Sequence, residues 1–112
     1  MEINVRESSS IRILDISGRM DTGTSPAVEI GINQVLDAGI KKIILNLAST
    51  EYVSSSGLRV LLITAKKLAA SGGSLKICQP NSVVREILDI SGFSTFLDVR
   101  TTEEEALSEM QF

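Results

Sequence analysis

Three adjacent hydroxyl groups, on Ser54, Ser55 and Ser56, are the side chains of this sequence best suited to a regulated chemical change. They follow an apolar segment at residues 43–47 and precede a helical pattern of apolar residues that starts at Leu58. Phosphorylation of such a serine adds about −1.5 to −2 charges and three acceptor oxygens. The dipole and free N–H groups of a helix N-terminus tolerate that anion. A phosphate at this turn is therefore expected to alter a docking surface without unfolding the domain.

A simpler role for the same serines is helix capping, because serine is among the preferred N-cap residues. Asp21 stands in the loop after the second predicted strand. Loops that follow the strands of an α/β sheet gather at the carboxyl edge of that sheet, so Asp21 is expected to lie near the serines. Aspartate is also a common turn residue, and the pattern alone leaves both roles open.

The elements that would position these residues alternate along the chain in the order β-β-α-β-α-β-α-β-α. Residues 3–5 and 11–16 show the two-residue period of strands, and the short polar turn between them predicts an antiparallel hairpin. Strands predicted at residues 43–47, 75–78 and 96–99 then alternate with helices, which is typical of parallel strands joined by crossovers. Residues 18–23 and the polar segment before the serines are predicted loops. We therefore predict a single α/β domain over residues 1–112, with a mixed sheet of four to five strands and flanking helices.

The composition argues against several classes of function. The 112 residues include no histidine and one cysteine, and the net charge is −3. Without histidine there is no Ser-His-acid triad, no Cys-His dyad and no imidazole ligand for zinc, so we expect no enzyme, no cofactor and no metal site. Dispersed basic residues and few aromatic residues argue against nucleic-acid binding. Cys78 lies in an apolar strand and is expected to be buried in the core.

The sequence also bears on where the protein acts. No apolar run is long enough to span a membrane, and the N-terminal residues lack the pattern of a signal peptide. A single cysteine leaves no disulfide framework, which is typical of a reducing compartment. These features predict a cytoplasmic protein that does not insert into membranes.

Taken together, these segments resemble a STAS domain, and specifically the small anti-sigma factor antagonists of bacteria. The resemblance covers nearly the whole chain and includes Gly18-Arg19-Met20-Asp21, residues 43–47 and Tyr52-Val53-Ser54-Ser55-Ser56-Gly57-Leu58. The family signature is Asp-Ser-Ser/Thr-Gly-Leu at the start of the second helix, and the residue two places before the glycine is its regulatory phosphoacceptor. The resemblance assigns that role to Ser55. This chain has Ser54 where the family usually has aspartate, which leaves three adjacent hydroxyls.

The resemblance implies a partner-switching regulator that is itself a substrate and a binding module. Unphosphorylated members bind an anti-sigma factor that is also a GHKL-type serine kinase, and phosphorylation of the position of Ser55 releases them. A PP2C-type phosphatase reverses the modification. We expect a monomer or weak dimer whose partner-binding residues are Asp21, Ser54, Ser55, Ser56, Gly57, Leu58 and Arg59.

Two other functions are compatible with parts of the pattern. Some STAS domains are subunits of lipid-transport ABC complexes or of sensory assemblies, and the missing aspartate before Ser55 leaves room for such a structural role. A serine hydrolase would require an activating base and the Gly-x-Ser-x-Gly turn, and the chain has no histidine and lacks that turn.

Overall fold

The structure, a computed structural model, describes residues 1–110; residues 111 and 112 of the predicted domain lie outside the described residues. In chain order the elements are β1 (Glu2–Ser8), β2 (Ile11–Met20), α1 (Ser25–Asp37), β3 (Lys42–Asn46), β4 (Thr50–Val53), α2 (Ser55–Ala70), β5 (Ser74–Cys78), α3 (Ser82–Ile90), a 3-10 helix (Phe93–Thr95), β6 (Val99–Arg100) and α4 (Glu103–Met110). No helix among these is long and apolar enough to cross a lipid bilayer.

The sheet has the strand order β1-β2-β3-β5-β6. In addition, β4 pairs with the carboxyl-terminal end of β2. β1 pairs with β2 in antiparallel orientation, whereas the other pairs are parallel. The predicted opening hairpin and the predicted mixed α/β sheet are therefore confirmed. Parallel pairing brings the carboxyl ends of β2, β3 and β5 to one edge of the sheet, and functional loops of α/β proteins leave from that edge.

The segment before α2 is not the polar loop that was predicted, because Thr50–Val53 form β4. β2 is also longer than predicted and continues to Met20, which pairs with Val53. Gly18 has a φ of 105°, and the pairing register shifts between Gly18 and Arg19. A φ in this range strongly favours glycine. This bend redirects the end of β2 from β3 to β4.

The last strand lies later than predicted. Residues 96–99 were expected to form it, whereas β6 spans Val99–Arg100. The N–H groups of Phe96 and Leu97 donate to the carbonyl of Phe93 at 3.0 and 2.9 Å. These turn hydrogen bonds occupy the backbone groups that a strand would need, and Phe96 stays exposed.

The main core lies between one face of the sheet and helices α1, α2 and α3; its fully buried members include Leu14, Ile16, Ile32, Ile43, Leu45, Leu61, Leu68 and Leu88. A smaller cluster on the opposite face is covered by α4 and contains Ile11, Ile13, Ile44, Cys78, Ala106 and Met110. β3 contributes to both clusters, as its nearly continuous apolar sequence predicts. The expected burial of Cys78 is confirmed.

A charged network holds the start of α4 on the sheet. The guanidinium of Arg6 donates to Asp15 Oδ2 at 2.6 Å and to Glu103 Oε2 at 3.1 Å. The side-chain amide of Asn46 donates to Glu103 Oε1 at 2.9 Å. The hydrogen bond from Arg6, aided by that from Asn46, holds the pKa of Glu103 below its usual range despite partial burial. Glu103 is therefore ionised at neutral pH and fixes α4 to β1, β2 and β3.

Candidate functional site

Ser54 fixes the first turn of α2 by capping the helix. Its backbone is extended (φ −83°, ψ 176°), and its Oγ accepts a hydrogen bond from the N–H of Gly57 at 3.3 Å. The N–H of Leu58 donates to the Ser54 carbonyl at 2.8 Å, and the N–H of Ser54 donates to the Met20 carbonyl at 2.7 Å. The hydroxyl of Ser54 is therefore used inside the fold, and its backbone ties the start of α2 to the end of β2.

Gly57 allows α2 to approach β2 and β4 closely. A Cβ at this position would lie 2.9 Å from Val53 Cγ1 and 3.1 Å from the carbonyl oxygen of Met20. Both separations are tighter than ordinary van der Waals contact, so a side chain here would push the helix off the sheet. Gly57 and Leu58 are buried. These two residues of the predicted partner surface thus lie beneath it and hold it in place.

The three serine side chains have different surroundings. Ser55 is exposed at the first helical position, and its hydroxyl has no hydrogen-bond partner within residues 1–110. Ser56 is half-buried, and its Oγ lies 3.2 Å from Thr22 Oγ1, within hydrogen-bond distance. Because the hydroxyl of Ser54 serves as the cap, Ser55 carries the one hydroxyl of the three that is both exposed and uncommitted.

Asp21 lies in the loop between β2 and α1, and the Ser54–Met20 and Thr22–Ser56 contacts bring this loop against the serine turn. Its Oδ1 accepts hydrogen bonds from the N–H groups of Gly23 at 3.0 Å and Thr24 at 3.1 Å. The hydrogen bond from Thr24 is the main reason that the pKa of Asp21 lies below its usual range. Asp21 is therefore an ionised turn residue at the edge of the sheet where it was expected.

A shallow groove of about 260 Å³ opens beside the serine turn, between the N-terminal halves of α1 and α2. Its polar lining includes Thr22 and Glu29 from one side and Ser56 and Arg59 from the other. The sequence analysis did not predict Thr22 or Glu29 as residues of the site. The sequence signal that could have indicated Thr22 is its position directly after Asp21 in the chain.

Two arginines bring positive charge to this edge. The guanidinium carbon of Arg19 lies 4.6 Å from the centroid of the Tyr52 ring, which is a cation–π contact between the paired ends of β2 and β4. Arg59 is exposed and lies one turn after Ser55 in α2. Its side chain forms no ion pair or hydrogen bond with any of residues 1–110. Together with Asp21 and Glu29, these residues form a surface of mixed charge, which suits a protein partner better than a nucleic acid.

The exposed serine hydroxyl of this site can accept a transferred chemical group. The serine hydroxyl can receive a group from an external donor, but the sequence has no imidazole to activate it. Within residues 1–110, no three His, Cys, Asp or Glu side chains are grouped so that they could hold a metal ion.

Several known proteins resemble this chain in sequence or in structure. The model of the STAS domain family matches residues 2–106. BtrV of Bordetella bronchiseptica, which carries the provisional name of an anti-sigma factor antagonist, is 30% identical over 95% of this chain and 91% of its own length. The anti-sigma F factor antagonist of Paenibacillus polymyxa is 28% identical over 99% of this chain and 96% of its own length.

The anti-sigma factor antagonist SpoIIAA has been solved in two forms that resemble this chain. The unphosphorylated form superposes with a TM-score of 0.80 at 21% identity, over 96% of this chain and 95% of SpoIIAA. The phosphorylated form of the Bacillus protein superposes with a TM-score of 0.73 at 20% identity, over 98% of this chain and 100% of SpoIIAA. These likenesses establish a common fold. With a family match that spans nearly all of its length, this chain belongs to the STAS domain family.

Proposed function

We propose that this chain is an anti-sigma factor antagonist whose binding to its anti-sigma factor is controlled by phosphorylation of Ser55. The observation that carries the proposal is the exposed, uncommitted hydroxyl of Ser55 between two serines whose hydroxyls are engaged. The names of BtrV, the Paenibacillus protein and SpoIIAA support an anti-sigma factor as the partner. The two solved forms of SpoIIAA support a phosphorylation switch.

The partner of the unphosphorylated chain is a GHKL-type serine kinase that also acts as the anti-sigma factor. It docks in the cytoplasm on the edge formed by Asp21, the serine turn and Arg59, and its sigma factor is released. The exposed residues of this edge make the contact, while Gly57 and Leu58 hold the helix beneath it. Charge of both signs at the edge gives the interaction specificity.

Phosphorylation then ends the interaction. The Ser55 oxygen forms a bond to the γ-phosphorus of Mg²⁺-bound ATP, the bond to the ADP oxygen breaks, and a base of the kinase takes the hydroxyl proton. A PP2C-type phosphatase hydrolyses the phosphoserine and restores the hydroxyl. This chain contributes the acceptor and the docking surface, and the two enzymes contribute the catalytic groups.

A phosphate on Ser55 leaves the fold intact because the hydrogen bonds that start α2 come from Ser54. The hydrogen bond from the Gly57 N–H to Ser54 Oγ does not involve the Ser55 side chain, and neither does the bond from the Ser54 N–H to the Met20 carbonyl. The anion also lies at the favourable end of the helix dipole. Its charge and volume therefore act on the partner and not on the packing of the domain.

The experiment that tests the proposal maps the phosphate. A GHKL-type kinase is captured from the native cell on the immobilised chain and incubated with ATP, Mg²⁺ and either the wild type or one of the variants Ser54→Ala, Ser55→Ala and Ser56→Ala. Mass spectrometry is expected to find one phosphate on every protein except Ser55→Ala, with folding of each variant checked by circular dichroism. Equal phosphorylation of Ser55→Ala and the wild type would show that the assignment is wrong.

A further inference from the structure

We propose that Arg59 binds the phosphate of phosphorylated Ser55 and fixes it on the solvent face of α2. This inference rests on the proposed function, because it concerns the phosphorylated state of Ser55. It adds a phosphate-binding residue to the switch, and it can be tested without the kinase.

The first argument is the position of the two side chains on the helix. Ser55 and Arg59 are four residues apart within α2, which places them about 40° apart around the helix axis and one turn apart along it. Both are exposed, whereas the intervening Gly57 and Leu58 are buried. Long side chains in a helix point back toward its N-terminus. A guanidinium at position 59 can therefore reach the turn that carries Ser55.

The second argument is that the guanidinium of Arg59 is uncommitted. Each of the other five arginines has a partner: Arg6, Arg12, Arg85 and Arg100 form ion pairs, and Arg19 lies over Tyr52. Arg59 has neither an ion pair nor a side-chain hydrogen bond to any of residues 1–110. An exposed helical arginine without a carboxylate partner is free to bind an anion that arrives later.

The carboxylates nearest to the site do not compete for Arg59. Glu29 lines the same groove but makes no ion pair with it in the described structure. Asp21 uses its Oδ1 to accept the hydrogen bonds of its own loop, and the first turn of α2 contains no acidic residue. The phosphate would therefore be the strongest acceptor within reach of the guanidinium.

The chemistry of the pair is favourable. A guanidinium donates two parallel hydrogen bonds to phosphate oxygens, and such charge-assisted pairs are stronger than neutral ones. The pair also removes Arg59 from the surface that the unphosphorylated chain offers. One modification thereby changes two adjacent positions of the docking edge, since Ser55 gains an anion and Arg59 loses its availability.

The test uses protein that carries phosphoserine at position 55, incorporated during translation, and follows the ³¹P NMR signal against pH. Pairing with Arg59 stabilises the dianion, so the phosphate pKa is expected to be lower by about 0.3 to 1 in the wild type than in Arg59→Gln. Arg59→Lys keeps the charge and should give an intermediate value. Arg85→Gln is the matched control, because Arg85 lies on α3 and pairs with Asp89, and it should match the wild type.

A second readout tests the same pairing through thermal stability. Phosphoserine at position 55 is expected to raise the Tm of the wild type by about 2 to 4 °C more than that of Arg59→Gln. Equal phosphate pKa values in the wild type and Arg59→Gln would show that Arg59 does not bind the phosphate, and would leave the proposed function standing. Failure of the kinase to modify Ser55 in the mapping experiment would instead overturn the proposed function.

Discussion

The backbone N–H of Ser54 donates to the carbonyl oxygen of Met20 at 2.7 Å, so the start of α2 is bonded to the end of β2. The close approach of Gly57 to Met20 and the contact between Thr22 and Ser56 reinforce the same junction. The serine turn is therefore held by a network that leaves the side chain of Ser55 outside it. A chemical change at the Ser55 side chain would therefore leave the hydrogen bonds of this junction intact.

Removal of the cap at Ser54 should destabilise the protein. Ser54→Ala eliminates the acceptor for the Gly57 N–H, so the free energy of unfolding measured with urea is expected to fall by about 1 kcal/mol. Ser54→Asp retains a capping oxygen and places a negative charge at the helix N-terminus, so it should be at least as stable as the wild type. Ser55→Ala is the matched control and should change stability by less than about 0.5 kcal/mol. A loss in Ser54→Ala no larger than in this control would contradict the capping role.

Substitution of Gly57 should also lower stability, for a steric reason. The Cβ of Gly57→Ala would meet Val53 and the Met20 carbonyl at 2.9 and 3.1 Å. Overpacking of this kind is expected to cost about 1 to 3 kcal/mol, more than the gain in helix propensity from glycine to alanine. Thermal unfolding of Gly57→Ala beside Ser55→Ala measures the effect. A higher Tm in Gly57→Ala would show that α2 does not rest on β2 as tightly as described.

The alternation of strands and helices could be predicted because burial dictates its pattern. β3 is apolar along its length since both of its faces are covered, and α2 carries a stripe that faces the core. β4 could not be predicted, because Thr50–Val53 is short and its partner is the end of β2 beyond the bend at Gly18. That pairing depends on the folded sheet and leaves no local signal.

The candidate site, like the fold, could be predicted from the sequence only in part. Sequence reasoning located the serine turn and placed Asp21 near it, but three neighbouring hydroxyls are equivalent until their partners are known. The backbone angles of Ser54 and the contact of Ser56 with Thr22 distinguish them, and both arise from the packing of α2 on β2. Glu29 lines the groove only because α1 lies beside α2, and this too depends on the folded structure.

The ion pair between Arg6 and Glu103 should make stability depend on acid pH. The folded state lowers the pKa of Glu103, so the pair contributes fully above about pH 4.3, the ordinary value for glutamate, and is lost as pH falls through the lower folded pKa. Urea unfolding at pH 7 and pH 3 is expected to show a smaller acid-induced loss in Glu103→Gln than in the wild type. Glu104→Gln, at an exposed neighbouring position, should behave like the wild type. Identical losses in all three proteins would argue against the network.

Cys78 should be chemically inert in the folded protein. Burial raises the pKa of its thiol to about 12, and the side chain is fully enclosed under α4. A thiol reagent such as Ellman's reagent at pH 8 is therefore expected to label the native protein only on the timescale of unfolding, since the thiolate is the reactive form. The urea-unfolded chain serves as the control and should react at once. Rapid labelling of the native protein would contradict the packing of α4 on the sheet.

The central claim, that a phosphate on Ser55 switches off partner binding, is tested most directly by calorimetric titration of the captured anti-sigma factor. The unphosphorylated chain and the chain carrying phosphoserine at position 55 are compared, with Ser55→Ala as an unmodified control. We expect the phosphorylated chain to bind at least about tenfold more weakly, a difference of about 1.4 kcal/mol, while its Tm is no lower. Equal affinity of the phosphorylated and unphosphorylated chains would contradict the account.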